Sequence, residues 1–237
     1  MNTTIITAVS PEYEKFIELS LQTWKRNDQL AAMPLTLFTY GYRRPHRKFK
    51  HMWKDIRTVK WNMREYSTQR ELVLSSFVLG VFEHTDTPFS LKLDGDVLVR
   101  DNEPILTPED FKYDLVSQKW GYTKPKSFIV DVETWAEKKN IPGNSNFNLD
   151  EIRISDSNIV SSKRIISQVC LQRKQFVMEC CSYLDSFRLP IPSHDTFLWY
   201  MAQRLPHVKW KRRQFKPNVF SVSRYHNFLA EWERVMS

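Results

Sequence analysis

What most constrains the fold of this chain is the order in which its hydrophobic period changes. Thr3 to Val9 is a β-branched, apolar run closed by Ser10 and Pro11, which predicts a buried strand. Tyr13, Phe16, Ile17, Leu21 and Trp24 then recur at helical spacing, with the small Ser20 on the same face, and Pro11 suits a first helical turn. The exchange repeats: strands at Leu35 to Tyr40 and Ile56 to Trp61, a helix over Arg70 to Phe82, and a strand from Pro88 to Leu93. Strands that alternate with helices predict a mostly parallel sheet flanked by helices. Val97 to Val99 continues extended, and Tyr113 to Ser117 and Ser127 to Val132 read as short strands. Lys139 to Ser157 is polar and rich in Asn, the pattern of a loop; Ile165 to Phe187 reads as one long helix, and Asp195 to Leu205 as another. No repeat, low-complexity tract or linker interrupts the 237 residues, so a single α/β domain around one core is expected.

Composition narrows the function. With 41% hydrophobic and 14% aromatic residues the chain has the material for a packed interior. It offers no run of roughly 18 to 20 apolar residues and no signal peptide at Met1 to Thr7, which predicts a cytoplasmic protein. The three cysteines, Cys170, Cys180 and Cys181, suit neither a disulfide framework nor a zinc site and read as reduced, buried thiols. Only five glycines occur, too few for a Gly-rich phosphate cradle, so a bound phosphate must be held another way.

Asp94-Gly95-Asp96 offers that other way. It follows the apolar strand ending at Leu93, and in a parallel sheet ligands bind beyond the carboxyl ends of strands. Two carboxylates separated by one residue can face one side of a strand exit, Gly95 admits a close neighbour, and hard oxygens suit Mg²⁺ or Mn²⁺, which bridge a diphosphate. The same three residues also suit a surface turn.

With Ile5-Ile6-Thr7-Ala8-Val9-Ser10-Pro11, Leu91-Lys92-Leu93-Asp94-Gly95-Asp96-Val97-Leu98 and His194-Asp195-Thr196-Phe197-Leu198 in this order, the chain resembles a GT-A glycosyltransferase from about residue 3 to residue 205. The resemblance implies one Rossmann-like catalytic domain over 1–237, with a nucleotide-sugar-binding half, 1–100, and an acceptor-binding half, 101–237. It implies Mn²⁺ or Mg²⁺ as cofactor and a nucleotide-sugar, a UDP-sugar first, as donor. The nucleotide base falls to Thr7, Ala8 and Val9, and metal and diphosphate to Asp94 and Asp96. Asp195 falls to the acceptor as general base, although it equally suits a helix cap and stands in His-Asp where the family often has two acids. His226 takes the place of a third metal ligand, and Trp120 and Tyr122 that of aromatic faces for a sugar or base, with a core role as the alternative for each.

The net charge of +8 favours an anionic partner. Two clusters, Arg43-Arg44-Pro45-His46-Arg47-Lys48-Phe49-Lys50-His51 and Lys209-Trp210-Lys211-Arg212-Arg213-Gln214-Phe215-Lys216, interleave cations with aromatic rings. Arg43, Arg44, Lys211, Arg212 and Arg213 are the expected contacts to a polyanionic acceptor, first a hydroxylated base in duplex DNA. A polysaccharide or lipid precursor at an anionic surface is the alternative acceptor. Two other classes compete. A non-catalytic nucleic-acid-binding module explains the charge but not the paired acids, and a nucleotidyltransferase shares the two-carboxylate logic but normally has further acids nearby.

Overall fold

The computed structural model describes residues 2–42, 47–60, 84–118, 166–187, 198, 201–215, 219–221 and 225–237. Nine strands are described: β1 (Thr3–Val9), β2 (Leu35–Thr39), β3 (Ile56–Lys60), β4 (Phe89–Leu93), β5 (Val97–Val99), β6 (Leu115–Gln118), β7 (Ile166–Arg173), β8 (Trp210–Arg213) and β9 (Val219–Ser221). Four α-helices accompany them: α1 (Glu14–Lys25), α2 (Asp28–Ala31), α3 (Lys174–Phe187) and α4 (Tyr225–Met236). Seven strands form one sheet in the order β3-β2-β1-β4-β7-β6-β8, and β5 pairs with β9 in a second, smaller sheet.

The large sheet is mostly parallel, as the alternation predicts. β1 pairs in parallel with β2 and β4, β2 with β3, and β6 with β8. Only β7 runs against its neighbours, antiparallel to both β4 and β6. One face of the sheet and α1 enclose a core containing Ile5, Val9, Leu37, Leu91, Leu93, Ile17, Leu21 and Trp24. Ile6 and Phe38 point to the opposite face with Ala8 and Val59. The architecture is thus a single α/β domain, a mostly parallel seven-stranded sheet flanked by helices.

β1 forms over the residues its β-branched run predicts, and β2, β3, β4 and β6 lie within a residue or two of their expected bounds. One expectation is overturned. The segment expected to be a single helix from Ile165 begins instead as β7 and becomes helical only at Lys174. Ile166, Val169 and Cys170 stand at helical spacing, but Val169 and Leu171 alternate with Cys170 and Gln172 across a strand that fills the gap between β4 and β6, buried on both faces. Position in the sheet overrides the local pattern. β8 escaped the pattern altogether, since Trp-Lys-Arg-Arg has no apolar alternation. Helical backbone at 198 and 201–204 falls inside the expected helix from Asp195 to Leu205, while the helix over 70–82, the strand over 127–132 and the loop over 139–157 lie outside the described residues.

Among the described residues no helix is long and apolar enough to cross a membrane. Cys170 and Cys180 are free thiols, both buried.

Candidate functional site

β4 delivers its buried run Phe89–Leu93 to the carboxyl edge of the sheet, and there the chain turns. The Val97 amide donates to the Asp94 carbonyl at 3.0 Å, closing a β-turn over Asp94-Gly95-Asp96-Val97, and the Asp94 amide donates to the Gln168 carbonyl of β7 at 2.9 Å. The two carboxylates therefore stand on a turn and not on an extended strand, both half-buried.

Helix α1 holds this turn through three polar side chains on its buried face. Ser20 Oγ donates to the Gly95 carbonyl at 2.8 Å, and Trp24 Nε1 donates to the Val97 carbonyl at 2.8 Å. Thr23 Oγ1 accepts from the Val99 amide at 3.2 Å and donates to the Ser20 carbonyl. One turn further on, Asn27 Nδ2 donates to the carbonyls of Asp101 and Glu103. A surface turn leaves such carbonyls to water; this one is bound backbone atom by backbone atom to a buried helix face.

Gly95 does not need its missing side chain for conformational freedom. A Cβ there would meet the Ala8 carbonyl and Ile17 at 3.7 Å, ordinary van der Waals contact. The proximity is informative in another way, for it sets the carboxylate turn directly against the end of β1, where Thr7, Ala8 and Val9 are. Thr7 and Val9 are buried and Ala8 is half-buried. The structure thus brings together the two segments assigned to base and to diphosphate.

Lys92 was not foreseen as a site residue. It lies in β4 between Ile6 of β1 and Cys170 of β7, is 3% exposed, and its ammonium donates to Asp94 Oδ1. Lys92 and Asp94 are two residues apart at the end of a strand, so they share a side of the sheet. The signal in the sequence was a lone cation inside an otherwise uncharged buried strand, two positions before an acid.

Asp94 and Asp96 fit a divalent cation of the Mg²⁺ or Mn²⁺ kind, which is commonly held by one or two carboxylates and completes its shell with substrate phosphates and water. Among the described residues no group of three or more His, Cys, Asp and Glu gathers. For His226 the backbone alone is described: it is the second residue of α4, and β9, which precedes that helix, places Ser221 opposite Val97. The chain thus returns to the carboxylate turn shortly before His226. Asp195, Trp120, Tyr122, Arg43 and Arg44 lie outside the described residues.

The basic clusters take on structural work that their sequence did not disclose. Lys211 Nζ is 3.0 Å from Asp110 Oδ1, and Arg213 Nη2 is 2.7 Å from Asp110 Oδ2, around a carboxylate with no exposure. Burial alone would raise the Asp110 pKa, but the Thr107 amide, Arg213 and Lys211 together hold it below its ordinary value. The same cations lie over rings, Lys211 over Tyr113 at 4.2 Å and Arg213 over Phe215 at 4.0 Å. Arg212 points to the other side of β8, and burial lowers its pKa. In the first cluster, Lys48 pairs with Glu14 and Glu18. Glu14 also accepts from the Tyr42 hydroxyl, whose pKa is pushed up by burial and by that carboxylate. Phe49 and Phe215 are buried core residues and present no face to a base. The described part of the first cluster precedes β3, at one edge of the large sheet, and the second forms β8, at the opposite edge.

By sequence, no family model and no curated protein matches the chain. By structure, it is similar to 4-diphosphocytidyl-2C-methyl-D-erythritol synthase from Anaerococcus prevotii, with a TM-score of 0.54 at 13% identity over 100% of this chain and 99% of that one. It is similar to mouse xyloside xylosyltransferase 1, with a TM-score of 0.50 at 7% identity over 90% of this chain and 85% of that one. An active-site mutant of LgtC matches with a TM-score of 0.50 at 11% identity over 87% of this chain and 72% of that one. At these identities the likeness establishes the fold.

Proposed function

We propose that this chain is a metal-dependent glycosyltransferase that moves a sugar from a nucleotide-sugar donor, a UDP-sugar first, to a hydroxyl acceptor. The observation that carries the reading is the carboxylate turn: Asp94 and Asp96 at the carboxyl end of β4, fastened by α1 and set against the end of β1. The fold it shares with a xylosyltransferase supports the same reading.

Asp94 and Asp96, with His226 as a third ligand, would hold Mn²⁺ or Mg²⁺, which would supply positive charge where the departing diphosphate becomes more negative. Thr7, Ala8 and Val9 border the space for the nucleotide base. In an inverting transfer Asp195 accepts the proton of the acceptor hydroxyl as its oxygen bonds to the sugar C1. The C1–O bond to the diphosphate breaks in the same step, and its electron pair leaves on the diphosphate. Trp120 and Tyr122 offer aromatic faces to the sugar or to the acceptor base. For the acceptor, a hydroxylated base in duplex DNA is supported by the net charge of +8. The phosphate contacts fall to Arg43, Arg44, Lys211, Arg212 and Arg213, with the exposed Lys50, Lys54 and Lys209 beside them, and Lys211 and Arg213 share their charge with Asp110.

A second reading, a nucleotidyltransferase, is favoured by the likeness to the Anaerococcus enzyme, which spans the whole of this chain. The two reactions leave different products. Incubation with a panel of nucleotide-sugars, with and without Mn²⁺, is expected to release a nucleoside diphosphate only with the metal, and to label either hydroxylated duplex DNA or a polysaccharide or lipid precursor. Release of pyrophosphate from a nucleoside triphosphate, with no nucleotide-sugar consumed, would replace the first reading by the second.

A further inference from the structure

We propose that Lys92 is the internal counter-charge that makes the carboxylate turn a receptor for a metal-diphosphate complex and a poor one for the bare cation. This rests on the metal reading above and assigns a role to a residue that reading leaves unused.

A lysine is almost never fully buried unless paired, because removing an ammonium from water costs far more than packing its stem returns. Lys92 is nonetheless in the central strand of the site, its side chain 4% exposed, with its ammonium on an Asp94 carboxylate that is itself 36% exposed. The pair is therefore lopsided: the cation is inside and the acid is at the mouth. Within β4, Lys92 is the single charged residue. The neighbouring Ser90 Oγ is buried with no hydrogen-bond partner, and the strand's other face is filled by Phe89, Leu91 and Leu93. Removing Lys92 alone leaves the Asp94 carboxylate where water still reaches it, so the change falls on the charge of the site.

What a buried cation changes is the charge of the site. Asp94 and Asp96 alone present two negative charges, which favour a divalent cation with or without substrate. With Lys92 the three side chains sum to one negative charge. A divalent ion then leaves the site positive, and a diphosphate restores the balance. Lys92 thereby lowers the affinity for the free ion and raises the gain that a diphosphate brings to it, which is a coupling between two ligands and acts equally in both directions. It also ties down one oxygen of Asp94, as groups behind a metal ligand commonly do.

The test is a titration of Mn²⁺ by electron paramagnetic resonance, with and without inorganic pyrophosphate, a protein-free titration correcting for the complex formed in solution. Pyrophosphate carries the diphosphate chemistry common to glycosyl and nucleotidyl transfer, so the result does not depend on knowing the donor. In the wild-type protein pyrophosphate is expected to tighten Mn²⁺ binding by about tenfold or more. In Lys92→Met, bare Mn²⁺ is expected to bind about tenfold more tightly, with the pyrophosphate gain largely lost, whereas Lys92→Arg keeps the wild-type coupling. A purely structural lysine predicts the opposite sign, with Lys92→Met weakening Mn²⁺ in both titrations; that result, or unchanged coupling, overturns the proposal and leaves the metal reading standing. If Lys92→Met does not fold, the wild-type titration decides, because equal Mn²⁺ affinity with and without pyrophosphate is incompatible with the proposal. A wild-type protein that binds Mn²⁺ in neither titration rejects the metal reading and this inference with it.

Discussion

Asp94 and Asp96 are two residues apart and do different work. Asp94 is committed on both sides of its Cα, its amide to Gln168, its carbonyl to Val97 and its carboxylate to Lys92, so it contributes to the order of the turn as well as to charge. Asp96 occupies the third position of that turn, half-buried and outside the hydrophobic core cluster. Asp96→Ala is therefore expected to abolish Mn²⁺-dependent transfer while leaving the melting temperature within about 2 °C of wild type, since substitutions away from packed features usually stay within about 0.5 kcal/mol. Full transfer by the purified variant in Mn²⁺ would show that the turn holds no catalytic metal. At this scale the sequence revealed the acids and concealed their supports. Two carboxylates around a glycine are visible as a motif, but whether they sit on a loose turn or a clamped one depends on Ser20, Thr23 and Trp24, more than 70 positions earlier. Helical spacing put Ser20 on the buried face; nothing local says that its hydroxyl reaches Gly95. Lys92 was hidden for a related reason, because a single lysine in a strand reads as an exposed residue until its neighbours on both sides are known.

Among the elements, α1 does most to join the site to the fold. It packs on β5 and on α4, with Phe16 edge-on to Phe228 at 4.9 Å, and Arg26 just beyond its end donates to the Val235 carbonyl at 2.6 Å. The first and last helices of the described chain are thus fastened together behind the carboxylate turn. The indole of Trp24 is fully buried and its one donor goes to Val97. Trp24→Phe keeps most of the apolar volume and removes that donor, leaving the Val97 carbonyl unsatisfied at a cost of about 1–3 kcal/mol. For a chain of this size that corresponds to a fall in melting temperature of roughly 2–12 °C, measurable by differential scanning calorimetry. No fall would mean that water replaces the indole at Val97 and that the clamp is dispensable. The strands near the N-terminus were legible because β-branched runs, bounded by turn residues, are buried on both faces. β7 was not, because its apolar residues also fit a helical period and only the vacancy between β4 and β6 decides between them.

At the scale of the molecule, the excess of positive charge is divided between an inner and an outer set. Arg173 binds Asp114, Lys92 binds Asp94, and Lys211 and Arg213 bind Asp110. A sequence shows cations in a row but not the acid, a hundred positions away, that the turn before the parallel neighbour strand β6 brings beneath them, and this is why the second cluster reads as a ligand-binding stripe. Asp110 is the knot of that arrangement. It caps its own turn through the Thr107 amide at 2.8 Å and ties β8 to the body of the sheet, and Arg213 adds a bond to the Ile105 carbonyl. Its folded pKa lies below the ordinary 3.8, so between the two values the unfolded chain binds more protons than the native one. Its contribution to stability is complete above pH 3.8 and is lost as pH falls through the lower folded value. Asp110→Asn removes this titration and leaves two half-buried cations facing an amide. At neutral pH it is expected to cost about 3 kcal/mol, or roughly 6–12 °C in melting temperature. Below pH 4 the gap between the variant and wild type should narrow, because the wild type is then surrendering the same interaction by protonation. Thermal melts of both proteins from pH 6 to pH 3 measure this. A gap that stays constant through the acid range would mean that Asp110 is neutral in the native state, and that the two cations of β8 are held by their rings and their backbone neighbours alone.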